Sequence, residues 1–164
     1  MKEIRLTKGF VTLVDDEDYD ELSKYNWQFH QGYACRKTFK KDGHHRMYLH
    51  VQVVGRVDGL VTDHISGDTL DNRRANLRHV TRAQNGQNCS AKGGYSKYKG
   101  VTWYKLKRLW GSQIRVNGKL KYLGLYKQES DAARAYNVAA EQCFGEYARL
   151  NVIEESDTEV TKCI

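Results

Sequence analysis

Residues 62–88 read TDHISGDTLDNRRANLRHVTRAQNGQN, a stretch that crowds an Asp-His pair, four arginines and four asparagines among few residues that a core would bury. After the Asp-His pair, the small and polar residues SGD end the predicted strand and begin a loop. Residues 77–80 are typical of a short strand. Thr81 and Gln84 then have the capping-box spacing, which predicts a helix from Thr81. The order is strand, loop, strand and helix, a hairpin facing a helix.

The polar residues of this stretch suit hydrolysis of a phosphodiester, which needs a hard divalent cation held by oxygen ligands and a base for the attacking water. Asp63 could supply an oxygen ligand for the cation, and His64 could supply the base. Magnesium usually accepts only one or two protein oxygens, so one Asp and one Asn carbonyl would suffice. Asn85 and Asn88 lie on one side of the predicted helix. Asn76, at the exit of the loop, can clamp loop backbone because its amide both donates and accepts.

The composition favours a polyanionic partner. The 164 residues carry a formal charge of +7, and 11 of the aromatic residues are tyrosines, which combine packing area with a hydroxyl. The four cysteines include no CxxC pair, so we expect free thiols and no structural zinc; they are Cys35, Cys89, Cys143 and Cys163. No signal peptide or membrane span is recognisable, so we expect an intracellular protein that is not secreted.

The positive charge is concentrated in one segment. Residues 97–127 contain nine lysines and arginines and no acidic residue, whereas residues 152–164 contain four acids and one lysine. The small residues in CSAKGGYSK, at 89–97, predict a linker. In the first 55 residues, EIRLTKGFVTLV, NWQFHQGYACRKTF and RMYLHVQVV are typical of strands, and DDEDYDELSKY predicts a helix start because acids favour the positive end of the helix dipole.

Residues 98–151 predict three short strands followed by a helix. The Asn-Gly of VNGK is a hairpin turn signal, and the helix runs from about Glu129 to Phe144 and ends at Gly145. One face of the sheet is then covered, so the lysines and arginines should project from the other face, which can enter a DNA major groove. The predicted inner flank of the helix is Ala132, Ala133, Tyr136, Ala139, Ala140, Cys143 and Phe144.

The stretch DHISGDTLDNRRANLRHVTRAQNGQN resembles the HNH endonucleases, in particular the phage homing endonucleases whose motif ends in Asn. This resemblance implies that His64 is the general base, that Asp63 and Asn85 bind the metal, and that Asn76 braces the loop that orients the base. Asn72 and Asn88 are the alternatives to the assigned asparagines. We interpret His50, in the upstream segment YLHVQVV, as a residue that contacts DNA or packs. The arginines implied to contact DNA phosphates are Arg73, Arg74, Arg78 and Arg82.

The C-terminal segment resembles the AP2 DNA-binding domain, since YKGV, WGSQIRVNGK, YLGLY, AARAY and ARLN occur in that order. The resemblance implies that Gln113 and Arg115 face bases and phosphates and that Trp110 packs under the helix. The residues expected around them on the DNA-binding surface are Lys105, Lys107, Arg108, Lys119, Lys121 and Tyr122.

The sequence therefore predicts an α+β protein with a β-rich N-terminal region, an embedded ββα-metal HNH motif, and a small C-terminal three-stranded sheet with a helix. The predicted boundaries are an HNH domain at 1–90 with its motif at about 60–88, a linker at 91–97, an AP2-like domain at 98–151 and an acidic tail at 152–164.

The function expected from these resemblances is a site-specific DNA endonuclease, a homing endonuclease or nickase encoded by a phage or mobile element and acting in the cytoplasm of a bacterial host. It would act on double-stranded DNA with one Mg²⁺ or Mn²⁺ ion. We expect a monomer, with a dimer left open. The alternative is a sequence-specific DNA-binding regulator with an inactive HNH centre.

Overall fold

The computed structural model describes residues 1–40, 43–91 and 93–154, so residues 155–164 of the predicted acidic tail lie outside it. The chain divides into two compact units, Met1–Gly86 and Gln87–Ile164. The described residues form several small antiparallel sheets and four α-helices, which confirms the mixed α+β fold class. No helix within the described ranges is long and apolar enough to span a membrane.

The first unit opens with a hairpin of β1 (Lys2–Arg5) and β2 (Val11–Val14), followed by helix α1 (Asp16–Leu22). The predicted helix start is confirmed. The first turn of α1 carries three acidic side chains, Asp16, Glu17 and Asp18, where negative charge complements the exposed backbone N–H groups.

A second sheet has the strand order β3 (Gln28–His30), β4 (Tyr33–Lys40) and β5 (Gly43–Tyr48). The strand expected over RMYLHVQVV is wrong in its second half, because the chain turns at Tyr48 into helix α2 (Leu49–Val54). The reason is burial at helical spacing. Leu49 and Val53, four residues apart, both face the core, and this packing outweighs the strand preference of the valines.

One apolar cluster forms the core of the first unit. Both small sheets, α1 and α2 contribute to it, and burial of their side chains is the main source of stability for a unit of this size. The buried members are Ile4, Leu6, Val14, Leu22, Trp27, Ala34, Leu49, Val53 and Leu77.

The stretch quoted above, residues 62–88, folds as predicted into a hairpin of β6 (Val61–His64) and β7 (Leu77–Val80), followed by helix α3 (Arg82–Asn88). The predicted capping box is present at the start of α3. The Thr81 N–H donates to Gln84 Oε1 at 2.9 Å, and the Gln84 N–H donates to Thr81 Oγ1 at 3.3 Å. These two bonds satisfy backbone donors that the first helical turn leaves open.

The second unit contains the three predicted strands and the predicted helix. The strands β8 (Val101–Tyr104), β9 (Leu109–Val116) and β10 (Lys119–Tyr126) form a sheet in the order β10-β9-β8, and helix α4 spans Glu129–Phe144. Asn117 and Gly118 join β9 to β10 with φ angles of 49° and 77°. Positive φ at both turn residues is the reason that Asn-Gly is favoured there.

Helix α4 packs on one face of this sheet through its alanines, with Ala132 and Ala133 against Val101 and with Ala140 near Ile114. Trp110 packs against the first of these clusters, as predicted. Cys143, which we expected on the inner flank, is exposed. Phe144, about 100° farther round the helix, packs against the second cluster in its place.

Candidate active site

Asp63 and His64 end β6 and are both buried, with 6% and 5% of their surface exposed. Strand pairing sets Asp63 opposite Arg78, and the Arg78 Nε donates to Asp63 Oδ2 at 3.0 Å. The Arg78 side chain is itself 15% exposed. A DNA phosphate at Arg78, as predicted, would therefore compete with this ion pair, because a buried carboxylate needs a cationic partner.

Asn76 contacts the backbone of the loop between the two strands. The Ser66 N–H donates to Asn76 Oδ1 at 2.9 Å, and Asn76 Nδ2 donates to the Asp71 carbonyl at 2.8 Å. The amide thus uses its acceptor and its donor on opposite sides of the loop, which is the kind of contact expected of it. Because Ser66 is two residues beyond His64, the clamp limits the movement of the backbone that carries the imidazole.

Asn72 is the asparagine that contacts the imidazole. The separation between His64 Nε2 and Asn72 Oδ1 is 3.2 Å, and Asn72 is almost completely buried, at 1% exposure. The sequence had offered Asn72 only as an alternative to the assigned asparagines. Its spacing from His64 gave no further signal, because its orientation depends on a residue 60 positions earlier in the chain, Thr12.

A chain of hydrogen bonds fixes the tautomer of His64. The Leu70 carbonyl can only accept, so the Thr12 hydroxyl donates to it at 2.6 Å and accepts from Asn72 Nδ2 at 2.7 Å. The Asn72 Oδ1 then faces His64, and the Nε2 atom must carry the proton. In the neutral ring this leaves Nδ1 with the lone pair, so Nδ1 is the atom that can act as a base.

The second strand of the first hairpin supports the same loop. The Leu13 N–H donates to the Leu70 carbonyl and the Asn72 N–H donates to the Leu13 carbonyl, both at 2.9 Å. Leu13 and Asp71 form a parallel bridge. The site is therefore built on β2 as well as on the β6–β7 hairpin, which the local sequence could not indicate.

Burial lowers the pKa of His64 below its usual value of 6.5 because the imidazolium is poorly solvated there. The hydrogen bond to Asn72 and the neighbouring carboxylate of Asp63 act in the opposite direction but do not overcome the burial. The ring is consequently neutral at neutral pH, the state that a general base requires.

His50 lies beside His64 and was not among the predicted catalytic residues. Their ring centroids are 5.1 Å apart in an edge-to-face arrangement, and the Tyr48 ring stacks on His50 at 5.5 Å. Burial, with a smaller contribution from His64, lowers the pKa of His50 to about 4. His50 therefore stays neutral and forms part of the wall around His64. The upstream segment YLHVQVV was the sequence signal for it.

The oxygen atoms of Asp63 and Asn85 are donors of the type that a hard cation prefers. Asn85 lies one turn into α3, where its N–H donates to the Thr81 carbonyl at 3.0 Å. In the part of the chain that the structure describes, three or more His, Cys, Asp or Glu side chains do not cluster in a metal-binding arrangement. A donor set with one carboxylate and one amide fits Mg²⁺, which keeps several waters, better than it fits zinc.

Two other arginines of the loop are held by carboxylates. Arg73 makes a two-pronged contact with Asp71, through bonds of 2.7 and 2.6 Å, and Arg74 makes one with Asp18, at 2.8 and 2.7 Å. The predicted phosphate contacts of Arg73 and Arg74 thus compete with ion pairs that the sequence did not reveal. Arg82, at the start of α3, is exposed.

The open face of the second unit's sheet presents Gln113, Arg115 and Tyr122, since Tyr122 pairs with Gln113 across β9 and β10. Lys119 and Lys121 pair instead with Val116 and Ile114, on the face that α4 covers. The expectation that every basic residue projects from the open face is therefore wrong for these two lysines, because neighbouring strand residues alternate between faces. The predicted residues Lys105, Lys107 and Arg108 are exposed in the β8–β9 turn.

The HNH endonuclease family matches residues 45–87, which include His50, the Asp63-His64 pair and Asn85. A protein described as an uncharacterised HNH endonuclease of Acanthamoeba polyphaga mimivirus is 31% identical to the chain over 149 residues. The alignment covers 90% of this chain and 78% of that relative, so the likeness extends beyond the family match into the second unit.

Proposed function

The chain belongs to the HNH endonuclease family, and from that premise we propose that it is a metal-dependent DNA endonuclease that uses His64 as its general base. The observation that carries the proposal is a buried, neutral imidazole beside a buried carboxylate, with its tautomer set by Asn72. Nuclease activity on DNA follows from the family, and the roles of the individual residues are proposed here.

Asp63 and Asn85 would hold Mg²⁺ or Mn²⁺, which when bound supplies positive charge for the 3′ oxygen as it leaves. His64 Nδ1 takes a proton from the attacking water while the water oxygen bonds to phosphorus. The bond between phosphorus and the 3′ oxygen breaks, and the leaving oxygen takes a proton from solvent, so the products carry 5′-phosphate and 3′-hydroxyl ends. Asn72 keeps Nε2 protonated and Asn76 holds the loop, so both are positioning residues.

We assign the second unit to DNA binding as an AP2-like module. Its support is a three-stranded sheet with one face open and with Gln113, Arg115 and Tyr122 on that face. A sheet of this width can enter a major groove of about 12 Å. A second module on the same chain makes its DNA contacts effectively intramolecular, which can raise avidity by about 10² to 10⁴.

Site-specific cleavage of the homing type follows from combining these parts. The catalytic centre reads phosphates and little sequence, whereas the sheet of the second unit would supply register. One centre per chain predicts a nick in double-stranded DNA, and a double-strand break only when two chains act or one chain acts twice. We propose that the active species is a monomer acting inside a cell that hosts a phage or mobile element.

The alternative is a DNA-binding regulator with an inactive centre, and one observation favours it. Asp63 already accepts a hydrogen bond from Arg78 at 3.0 Å, so a cation at this carboxylate must compete with a guanidinium. Such competition weakens cation binding without abolishing it, because the second carboxylate oxygen also has lone pairs. Plasmid cleavage distinguishes the two functions.

The test is nicking of supercoiled plasmid with Mg²⁺ by the full chain. We expect wild-type protein to nick and His64→Ala to lose about 10² to 10⁴ in rate, the usual contribution of a general base. His79→Ala is the matched control, since His79 lies on β7 of the same hairpin and contacts the Gly55 carbonyl at 3.3 Å. A His64→Ala protein that nicks at the wild-type rate would refute the role of His64.

Site specificity needs a separate experiment, sequencing of the ends made on randomised DNA. We expect a limited set of sites with one chemical type of end. Clean wild-type protein that cuts no member of such a library, while still binding it, would favour the regulator. A preference for RNA in the same assay would contradict the DNA substrate.

A further inference from the structure

The β4–β5 hairpin of the first unit carries two positive charges directly opposite each other. Lys37 pairs with Arg46 across the strands, and both side chains are exposed. Like charges at directly opposed positions repel and destabilise a hairpin. Within the described ranges, neither side chain forms an ion pair that would relieve the repulsion. The arrangement therefore costs stability in the isolated protein, and an anion lying along this face would remove that cost.

The face that carries this pair begins at the candidate active site. Alternation along β4 and β5 puts Tyr33 and Tyr48 on the same face as Lys37 and Arg46. The Tyr33 ring lies 5.6 Å from the His50 ring and 6.1 Å from the His64 ring, centroid to centroid. The tyrosines that surround His50 and His64 thus share a face with the two cations, and the buried Cys35 lies between Tyr33 and Lys37.

Farther along the same face, Phe39 is 78% exposed. Residues on one face of a strand repeat every two positions, or about 7 Å, so Lys37 lies about 13 Å from Tyr33 and Phe39 about 20 Å from it. A DNA strand rises about 3.4 Å per nucleotide, so the distances from Tyr33 to Lys37 and to Phe39 correspond to about four and six nucleotides. We call Lys37, Phe39 and Arg46 the outer hairpin face.

We propose that the outer hairpin face binds the backbone of double-stranded DNA on one side of the bond that is cut. Lys37 and Arg46 would neutralise phosphates, and the exposed ring of Phe39 would contact the sugars or a base step at the groove. This contact is additional to the sheet of the second unit. It rests on the proposed function only in its choice of DNA as the polyanion.

The choice of DNA follows from the chemistry of the face and its position. Two cations side by side match a regular array of negative charges, and a partner protein would need paired acids at the same spacing. An exposed phenylalanine beside cations suits a duplex, whose groove offers apolar sugar and base surfaces between the phosphates. The continuity with His64 then puts that duplex where a nuclease needs its substrate.

The test measures how salt weakens DNA binding by the full chain in a His64→Ala background, with random-sequence duplexes as the probe. Each phosphate contact contributes about 0.9 to the slope of log affinity against log salt, so Lys37→Gln with Arg46→Gln should reduce the slope by about 1.8. The matched control is Arg5→Gln with Lys8→Gln, which removes two exposed charges from the same unit outside the hairpin.

A second variant separates binding from folding. Lys37→Glu replaces a repulsive cross-strand pair with an attractive one, so we expect a higher Tm for the free protein and a lower affinity for DNA. A purely structural role cannot move these readouts in opposite directions. An unchanged slope, or an equal fall in the control pair, would overturn the proposal. So would altered self-association at constant slope, which would assign the face to a second copy of the chain.

The outcome is independent of whether the proposed catalysis is correct. Nicking by wild type and its loss in His64→Ala test the nuclease, whereas the slope is measured on protein that lacks the base. A reduced slope with no nicking by wild type would support the hairpin contact and reject the active nuclease. Nicking by wild type with an unchanged salt slope would support the nuclease and reject the hairpin contact with DNA.

Discussion

Replacing Asn72 with leucine tests whether this buried amide orients the general base. Leucine has a similar size, so the change removes hydrogen bonds without opening a large cavity. The lost contacts are those to His64 Nε2 at 3.2 Å, to Thr12 Oγ1 at 2.7 Å and to the Thr69 carbonyl at 3.4 Å. The first two are worth about 1 kcal/mol each, and the stranded Nε2–H adds a cost of about 1–3 kcal/mol. We expect the free energy of unfolding to fall by about 3–5 kcal/mol.

The rate effect follows from geometry. Without the Asn72 bond the imidazole can turn or change tautomer, and a misplacement of about 1 Å costs up to about 10² in rate. We therefore expect kcat to fall by about 10- to 100-fold, less than the loss in His64→Ala. Single-turnover nicking of plasmid, at a temperature where circular dichroism shows the variant folded, measures this effect.

The pH profile gives a readout that a loss of stability would not move. The Asn72 hydrogen bond raises the pKa of His64 and partly offsets the effect of burial. Its removal lowers that pKa, so the acid side of the rate profile should shift to lower pH. Asn137→Leu is the control, since it removes two hydrogen bonds to Asn151 backbone and should destabilise without changing rate or profile. A kcat and a pH profile that match the wild type would refute the role of Asn72.

Three further predictions concern pH, metal and packing. The pKa of His50 is about 4 in the folded chain and 6.5 in the unfolded chain, so on acidification the unfolded chain binds the proton first. The free energy of unfolding should therefore fall by at most about 3 kcal/mol as the pH drops from 6.5 to 4. Urea titrations should show this loss in wild type and not in His50→Phe. Arg78→Gln removes the guanidinium that pairs with the buried carboxylate of Asp63, so Tm should fall without Mg²⁺ and recover with Mg²⁺ more than in wild type. Equal Mg²⁺ effects on the two proteins would contradict Asp63 as a metal ligand. Gly100→Ala would set a Cβ 2.0 Å from an aromatic ring of α4, so the free energy of unfolding should fall by about 3 kcal/mol. Gly93 has a similar φ but open space around it, so Gly93→Ala should lower the same quantity by only about 1–2 kcal/mol. Equal losses in the two variants would contradict the close approach at Gly100.

The elements that were predicted correctly depend on neighbours in the chain. The capping box of Thr81 and Gln84 joins residues three apart, and the turn at Asn117 and Gly118 needs only the backbone freedom of those two residues. The ends of α4 follow from the same kind of local signal. Such contacts form whatever the rest of the chain does, so a reading of the sequence finds them.

The errors arose where a distant residue decides the outcome. Nothing in the sequence indicated the ion pair between Arg74 and Asp18, which lies 56 positions earlier and competes with the DNA contact expected of Arg74. The segment Leu49–Val54 has valines that favour a strand, but burial of its i and i+4 side chains in a core assembled from other elements makes it a helix. Lys121 was given the wrong face because its face follows from pairing with Ile114 on another strand.

The sequence by itself determined the chemistry of this protein: the Asp-His pair, the hairpin and helix around it, and the family to which the chain belongs. The tertiary structure alone decided which asparagine contacts the His64 imidazole, because Asn72 is oriented by Thr12, 60 residues away, and which arginine pairs with Asp63. The physical reason is that residue type fixes what a group can donate or accept, whereas partners, burial and pKa depend on which parts of the chain folding brings together.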